Sequence, residues 1–238
     1  QWMKPRLDTT AEDNDATIIP IQQTITAGEN TVLPYPILQP LIEQAEGHFI
    51  LNRCPCRSAE NCQTYPHDFG CLYLGPAVAE IPASVGHPVT KQEAMTHLEQ
   101  GLHHGLVPMI VHASFDADML SIDYAHMLAV CFCCDCCCTV RHHLRLGPST
   151  FDATVHRLPG LTVQVTNQCI TCGSCAEVCP VNAITVNDLA TISQDFCKGC
   201  GLCVSACPNN AIRICLDDTQ SAIQTLFDRI RSRTDIGV

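Results

Sequence analysis

Apolar and polar positions change period several times along the chain, and each change marks an element. Short alternating runs at Thr17–Ile21 and Thr24–Ile25, broken by Pro and Gly, predict strands within the first 35 residues. Residues 39–48 carry a short helical pattern. Thr90–Lys91–Gln92–Glu93 reads as a capping box, in which the Thr hydroxyl and the Glu carboxylate each satisfy a free backbone N–H. The helix it opens has Ala94, Leu98 and Leu102 in one stripe and Gly105 as its stop. Four short β runs follow, at Leu161–Val165, Ala183–Val186, Ala190–Ile192 and Ala211–Cys215. The chain closes on an amphipathic helix, with Ala222, Ile223, Leu226, Phe227 and Ile230 on one face and Asp217 or Asp218 as N-cap.

Composition changes this picture at one residue type. Of 238 residues, 46% are apolar, enough for a core, and 19 are cysteine. Disulfide scaffolds scatter their cysteines along the loops of small secreted chains. Here they fall in tight ladders and in a run of neighbours, which the fixed Cα and Cβ separations of a disulfide make hard to pair. Metal thiolate ligation in a reducing compartment is the better reading, and a cytoplasmic location is expected. The opening QWMKPRLDTT has no apolar signal-peptide core. No run approaches the ~18 apolar residues of a membrane span. The chain begins with Gln rather than Met, which leaves room for an upstream segment.

Two stretches repeat. CITCGSCAEVCPVNAI at 169–184 and CKGCGLCVSACPNNAI at 197–212 are offset by 28 residues and share nine of sixteen positions. Both read C-x2-C-x2-C-x3-C-P, which resembles the bacterial two-cluster ferredoxins. That resemblance implies two [4Fe–4S] clusters with crossed fourth ligands. Cluster I would take Cys169, Cys172, Cys175 and Cys207, and cluster II Cys197, Cys200, Cys203 and Cys179. Gly173 and Gly201 permit tight turns and close approach of backbone to cluster. Paired zinc knuckles are the rival, but they show two C-x2-C pairs around a spacer rather than three even cysteines and a Cys-Pro. Cys215 falls outside the pattern and reads as a small core residue.

Two further groups lie upstream. Cys54, Cys56, Cys62 and Cys71 fall within eighteen residues and are enough to close one site, a [4Fe–4S] cluster or a four-thiolate zinc ion. Arg57, in the sequence Cys-Pro-Cys-Arg, is placed to donate to sulfur or offset thiolate charge. Cys131, Cys133, Cys134, Cys136, Cys137 and Cys138 then occupy eight residues. An extended run would face alternate ways, whereas a kinked one would feed two sites. A further cluster from a subset of these six, with a ligand borrowed from the first group as an option, brings the expected total to three or four. The histidines at 103, 104, 112, 126, 142 and 143 are not assigned as ligands.

In order, Ile19–Pro20–Ile21, Leu33–Pro34–Tyr35, Cys54–Arg57, Cys71–Gly75, Thr90–Ala94 and Cys133–Cys138 precede the ladder. This order resembles multi-cluster 4Fe–4S proteins of anaerobic bacteria and archaea. The link from Cys56 to Cys62 is shorter than in such relatives. The expected class is α+β: an N-terminal extension (1–35), a mixed, mainly helical cysteine-rich domain (36–160), a ferredoxin-like dicluster module (161–216) and a terminal helix (217–238).

The function this predicts is electron transfer to or from a redox protein or an oxidoreductase subunit. A reductase with an unusual cluster site in 54–138 and a metal-handling or scaffold protein are the alternatives. The chain carries no G-x-G-x-x-G and no P-loop. Its net charge of −11 argues against nucleic acid and suits a basic docking patch on a partner, though acidity also serves solubility alone.

Overall fold

The computed structural model describes residues 14–21, 23–27, 29–33, 35–140, 144 and 154–238. The fold is α+β, as the sequence predicts. Its N-terminal part is framed by strands β1 (Asn14–Ile18), β4 (His48–Leu51), β5 (Leu72–Leu74), β6 (Gly86–Pro88), β7 (Val107–Ala113), β8 (Leu128–Cys133) and β9 (Val155–Arg157). These form one sheet in the order β6-β4-β5-β8-β7-β1-β9. Only β1 and β9 run parallel. A separate hairpin pairs β2 (Gln23–Ala27) with β3 (Glu29–Leu33).

The sequence reading expected this part to be mainly helical, and the sheet is the departure from it. The cause is legible in VPMIVHA and LAVCFC, which become β7 and β8. Both are almost continuously buried, and a strand covered on both faces shows no alternation to give it away. The helix expected at 39–48 is α1, Tyr35–Gln44; the chain then turns into β4.

The capping box is present. Thr90 N–H donates to Glu93 Oε2 at 2.8 Å, and Glu93 N–H donates to Thr90 Oγ1 at 3.2 Å. It opens α3 (Lys91–His103), which buries Ala94, Leu98 and Leu102 and lies against α1, β4 and β7. Two shorter helices are α2 (Pro55–Ala59) and α4 (Ser114–Leu120).

The repeat folds as two related halves. β10 (Leu161–Val165) pairs antiparallel with β13 (Ile212–Leu216), and β11 (Ile184–Val186) with β12 (Ala190–Ile192). Helices α5 (Ser174–Glu177) and α6 (Leu202–Ser205) each follow a glycine at φ 84°. The 28-residue offset survives in the backbone. Thr171 and Gly199 (φ 56° and 67°), Gly173 and Gly201, and Asn182 and Asn210 (52° and 51°) all take left-handed conformations. Such turns suit glycine and asparagine, and they aim successive cysteines inward.

The last helix, α7 (Thr219–Arg231), is capped by Asp218, whose Oδ1 accepts from Gln220 N–H at 2.9 Å and Ser221 N–H at 3.2 Å. It buries Ala222, Leu226, Phe227 and Ile230. Its far end meets β1: Arg229 Nε stands 3.4 Å from Asp15 Oδ1, and Arg233 Nε 3.6 Å from Oδ2.

Candidate metal centres

All 19 cysteines lie among the described residues, and each is a free thiol. In the repeat they line two cavities. Cys169, Cys172, Cys175 and Cys207 line one, and Cys179, Cys197, Cys200 and Cys203 the other. Each cavity thus draws three cysteines from one copy and the fourth from the other. Backbone amides point at several of the sulfurs. Ala183 N–H lies 3.3 Å from Cys179 Sγ, Ala211 N–H 3.2 Å from Cys207 Sγ, and Gly199 N–H 3.4 Å from Cys197 Sγ. Four thiols per cavity with N–H donors to sulfur is a donor set that fits an iron–sulfur cluster.

The upstream cysteines sort differently from their order in the sequence. Cys54 caps α2, and its Sγ accepts Arg57 N–H at 3.5 Å. Cys71 directly precedes β5, and Cys131 and Cys133 end β8, before the chain turns. A chamber of about 160 Å³ is lined by Cys54, Cys56, Cys71, Cys131, Cys133 and Cys138. Their thiols meet in pairs, Cys54 with Cys56, Cys71 with Cys131 and Cys133 with Cys138. Cys62 stands elsewhere: its Sγ and those of Cys134, Cys136 and Cys137 all lie within 4.8 Å of one another. The kinked arrangement of the run, feeding two groups, is the one adopted. Cys134 also borders the chamber.

Arg57 ties these segments together. It is 1% exposed, with Nε donating to the Pro66 carbonyl at 2.8 Å, Nη1 to that of Phe132 at 2.7 Å and Nη2 to that of Phe69. Its charge acts on Cys54, Cys134 and Cys71. The expected role beside sulfur is joined by a structural one that the sequence did not announce.

The electrostatics fit a buried thiol set suited to a cation. The hydrogen bond with Cys56 and burial push the Cys54 thiol well up, while that same bond, opposed by burial and aided by Thr139, brings Cys56 down to about 6. Partner thiols and burial likewise raise Cys131 and Cys133. Burying several thiolates together without a cation is costly, and metal binding is what releases their protons. At Cys62 burial acts upward, but the Tyr65 and Thr64 amides and the neighbouring thiols bring it to about 7.

Two further chamber residues escaped the sequence reading. Burial and the charge of Cys56 push the Asp116 carboxyl up to about 7, against a hydrogen bond with Tyr73. Tyr73 follows Cys71 by two residues, so the period of β5 puts both on one face. That signal was available. Asp116, on α4, carried none.

The described histidines stay outside these groups. His112 Nε2 donates to the Tyr124 carbonyl at 2.8 Å and its ring stacks on Tyr124 at 3.9 Å. His126 Nδ1 pairs with Asp123 at 2.7 Å. His103 and His104 are exposed, and 142–143 lie outside the described residues. Cys215 sits half-buried on β13, apart from all the groups.

Residues 162–214 match the family model of the 4Fe-4S dicluster domain. This supports [4Fe–4S] binding in the repeat and, with it, iron–sulfur electron transfer. No curated protein and no solved structure matches the chain. No helix among the described residues is long and apolar enough to cross a membrane.

Proposed function

We propose that the chain is an electron relay in which the dicluster module exchanges electrons between a redox partner and a third iron–sulfur cluster held in the chamber of the N-terminal part. Cluster I takes Cys169, Cys172, Cys175 and Cys207, and cluster II Cys179, Cys197, Cys200 and Cys203. The third takes its ligands from the chamber cysteines 54, 56, 71, 131, 133 and 138. Bound clusters supply one-electron transfer at potentials set by burial, charge and hydrogen bonds to sulfur.

The observation that carries the reading is strand β9. Val155 lines the chamber, and two residues on, Arg157 donates to the carbonyl and side-chain oxygens of Gln194, each at 3.0 Å. Arg157 also hydrogen-bonds the Cys197 sulfur, opposing the burial that raises that thiol. One short strand therefore runs from chamber wall to cluster II cysteine, which keeps the two centres in fixed register. The net charge of −11 suits docking onto a basic patch of an oxidoreductase partner. Nineteen cysteines with no disulfide among them suit the cytoplasm, and the upstream motif order suits an anaerobe.

The test is stopped-flow reduction of the anaerobically reconstituted chain by a limiting soluble reductant. Cys200→Ala should slow reduction of the chamber cluster at least tenfold while leaving its oxidised spectrum intact. Equal rates in variant and wild type would sink the relay.

One observation favours a second reading, that of a reductase. The chamber places a carboxyl and a phenol, Asp116 and Tyr73, beside the cysteine group. A cluster with an iron left open there would face a ready proton donor. Cyanide added to the reduced protein separates the two: a changed electron-paramagnetic-resonance spectrum of the chamber cluster favours the reductase, an unchanged one the relay.

A further inference from the structure

We propose that Cys62, Cys134, Cys136 and Cys137 form a separate four-thiolate site for a single thiophilic divalent ion of the zinc type. Its sulfurs are drawn together more tightly than those of the other cysteine groups among the described residues, although Cys134 also borders the chamber. The four Sγ atoms lie within 4.8 Å of one another, and Cys136 Sγ is 3.5 Å from both Cys62 Sγ and Cys137 Sγ. Tetrahedral zinc with bonds of about 2.3 Å holds its four sulfurs about 3.8 Å apart. A cubane stands its four thiolates further out, because four irons and their sulfides lie between them. The chain supplies its own comparison. Among the described residues, neither the ladder cysteines nor the six chamber cysteines make a group this tight.

The local backbone is that of a thiolate site. Cys134 and Cys137 form a C-x2-C pair, and Cys137 N–H closes back on Cys134 Sγ at 3.2 Å. Across from them, Tyr65 N–H donates to Cys62 Sγ at 3.4 Å. Amide donors of this kind orient a ligating sulfur and stabilise its charge. The donor set is all sulfur, which selects zinc and its soft relatives over magnesium or calcium. The site also has a structural consequence. Cys62 and Cys136 are 74 residues apart in the chain, and Cys134 lines the chamber as well. An ion here pins one wall of the chamber from outside without entering it.

This site is independent of the relay reading, and its test is read on a different element. The full chain is purified without oxygen, and zinc, iron and acid-labile sulfide are measured together. The wild type should hold a single metal ion beyond its iron–sulfur content. Cys136→Ser and Cys62→Ser should each lose that ion with sulfide unchanged, whereas Cys215→Ser keeps it. Cobalt(II) added to zinc-depleted wild type should give the charge-transfer and tetrahedral d–d bands of a four-thiolate ion, and they should be absent in Cys136→Ser. If a serine variant fails to fold, the wild-type metal ratio and cobalt spectrum decide alone. Loss of about four irons together with four sulfides in Cys136→Ser would make this a cubane site and overturn the proposal. Wild type that holds no sulfide-free ion and gives no cobalt spectrum would overturn it equally.

Discussion

Arg57 and Phe132 are 75 residues apart in the chain, yet Arg57 Nη1 donates to the Phe132 carbonyl at 2.7 Å. With the carbonyls of Pro66 and Phe69 held by the same guanidinium, one buried cation fixes the first cysteine segment against the second. Phe132 sits between Cys131 and Cys133, so this bond sets the placement of both. Arg57→Met should cost about 3–5 kcal/mol, since it leaves buried acceptors unpaired and removes the cation among the thiols. Arg57→Lys should recover little of it, because an ammonium lacks the planar fork. Urea unfolding of the metal-loaded protein measures this, and a loss below about 1 kcal/mol would refute the bracing role.

Crossed ligation in the ladder has a pairwise signature. Cys172→Ala and Cys207→Ser should damage the same cluster, so that the double variant loses no more iron than either alone. Cys172→Ala with Cys179→Ser should strip both clusters. Iron content and the spin–spin coupling of the reduced pair are the readouts. If Cys207→Ser instead disables the cluster of Cys197, Cys200 and Cys203, the fourth ligands are not crossed.

What could be read in the sequence follows from how local each signal is. The capping box at Thr90 and the Asp218 cap depend on residues within a few positions, and both are present. The strands at 161–165 and 190–192 have the expected bounds. The sheet was missed because its central strands are apolar on both faces and so carry no period. The separation of Cys62 from Cys54, Cys56 and Cys71 is a long-range outcome: the pairing of β5 with β8 and the reach of Arg57 bring distant segments together. Spacing within a segment holds no information about which distant thiol will arrive.

Asp15 carries a pH signature. Burial acts to raise its carboxyl, but the hydrogen bond from His156 and the cations Arg229 and Arg233 outweigh it and hold it below its ordinary value. A carboxyl depressed in the folded state contributes stability above its unfolded pKa and loses it as pH falls through the folded one. Asp15→Asn should therefore cost about 1–3 kcal/mol at neutral pH, the range for hydrogen bonds to charged groups. The gap to wild type should narrow only as pH drops to about 4 and below, where the unfolded carboxyl begins to protonate. Thermal unfolding at stepped pH checks it; a gap that widens on acidification would contradict the assignment.

The chamber makes the sharpest stoichiometric prediction. Its six cysteines are buried or half-buried, and three pairs of them share hydrogen bonds, so their sulfurs already stand together around one space. A cubane needs four thiolates, so the set is sufficient with two to spare. Protein reconstituted without oxygen should hold about twelve irons and twelve sulfides per chain, eight of each in the ladder and four in the chamber. Cys71 stands just before β5 and Cys131 on the neighbouring β8, and their thiols are hydrogen-bonded. Cys71→Ser and Cys131→Ser should each bring the total down to about eight irons without disturbing the spectrum of the ladder pair. A wild type that never exceeds about eight irons under full reconstitution would mean that the chamber takes no cluster, and the relay would then lose its third centre.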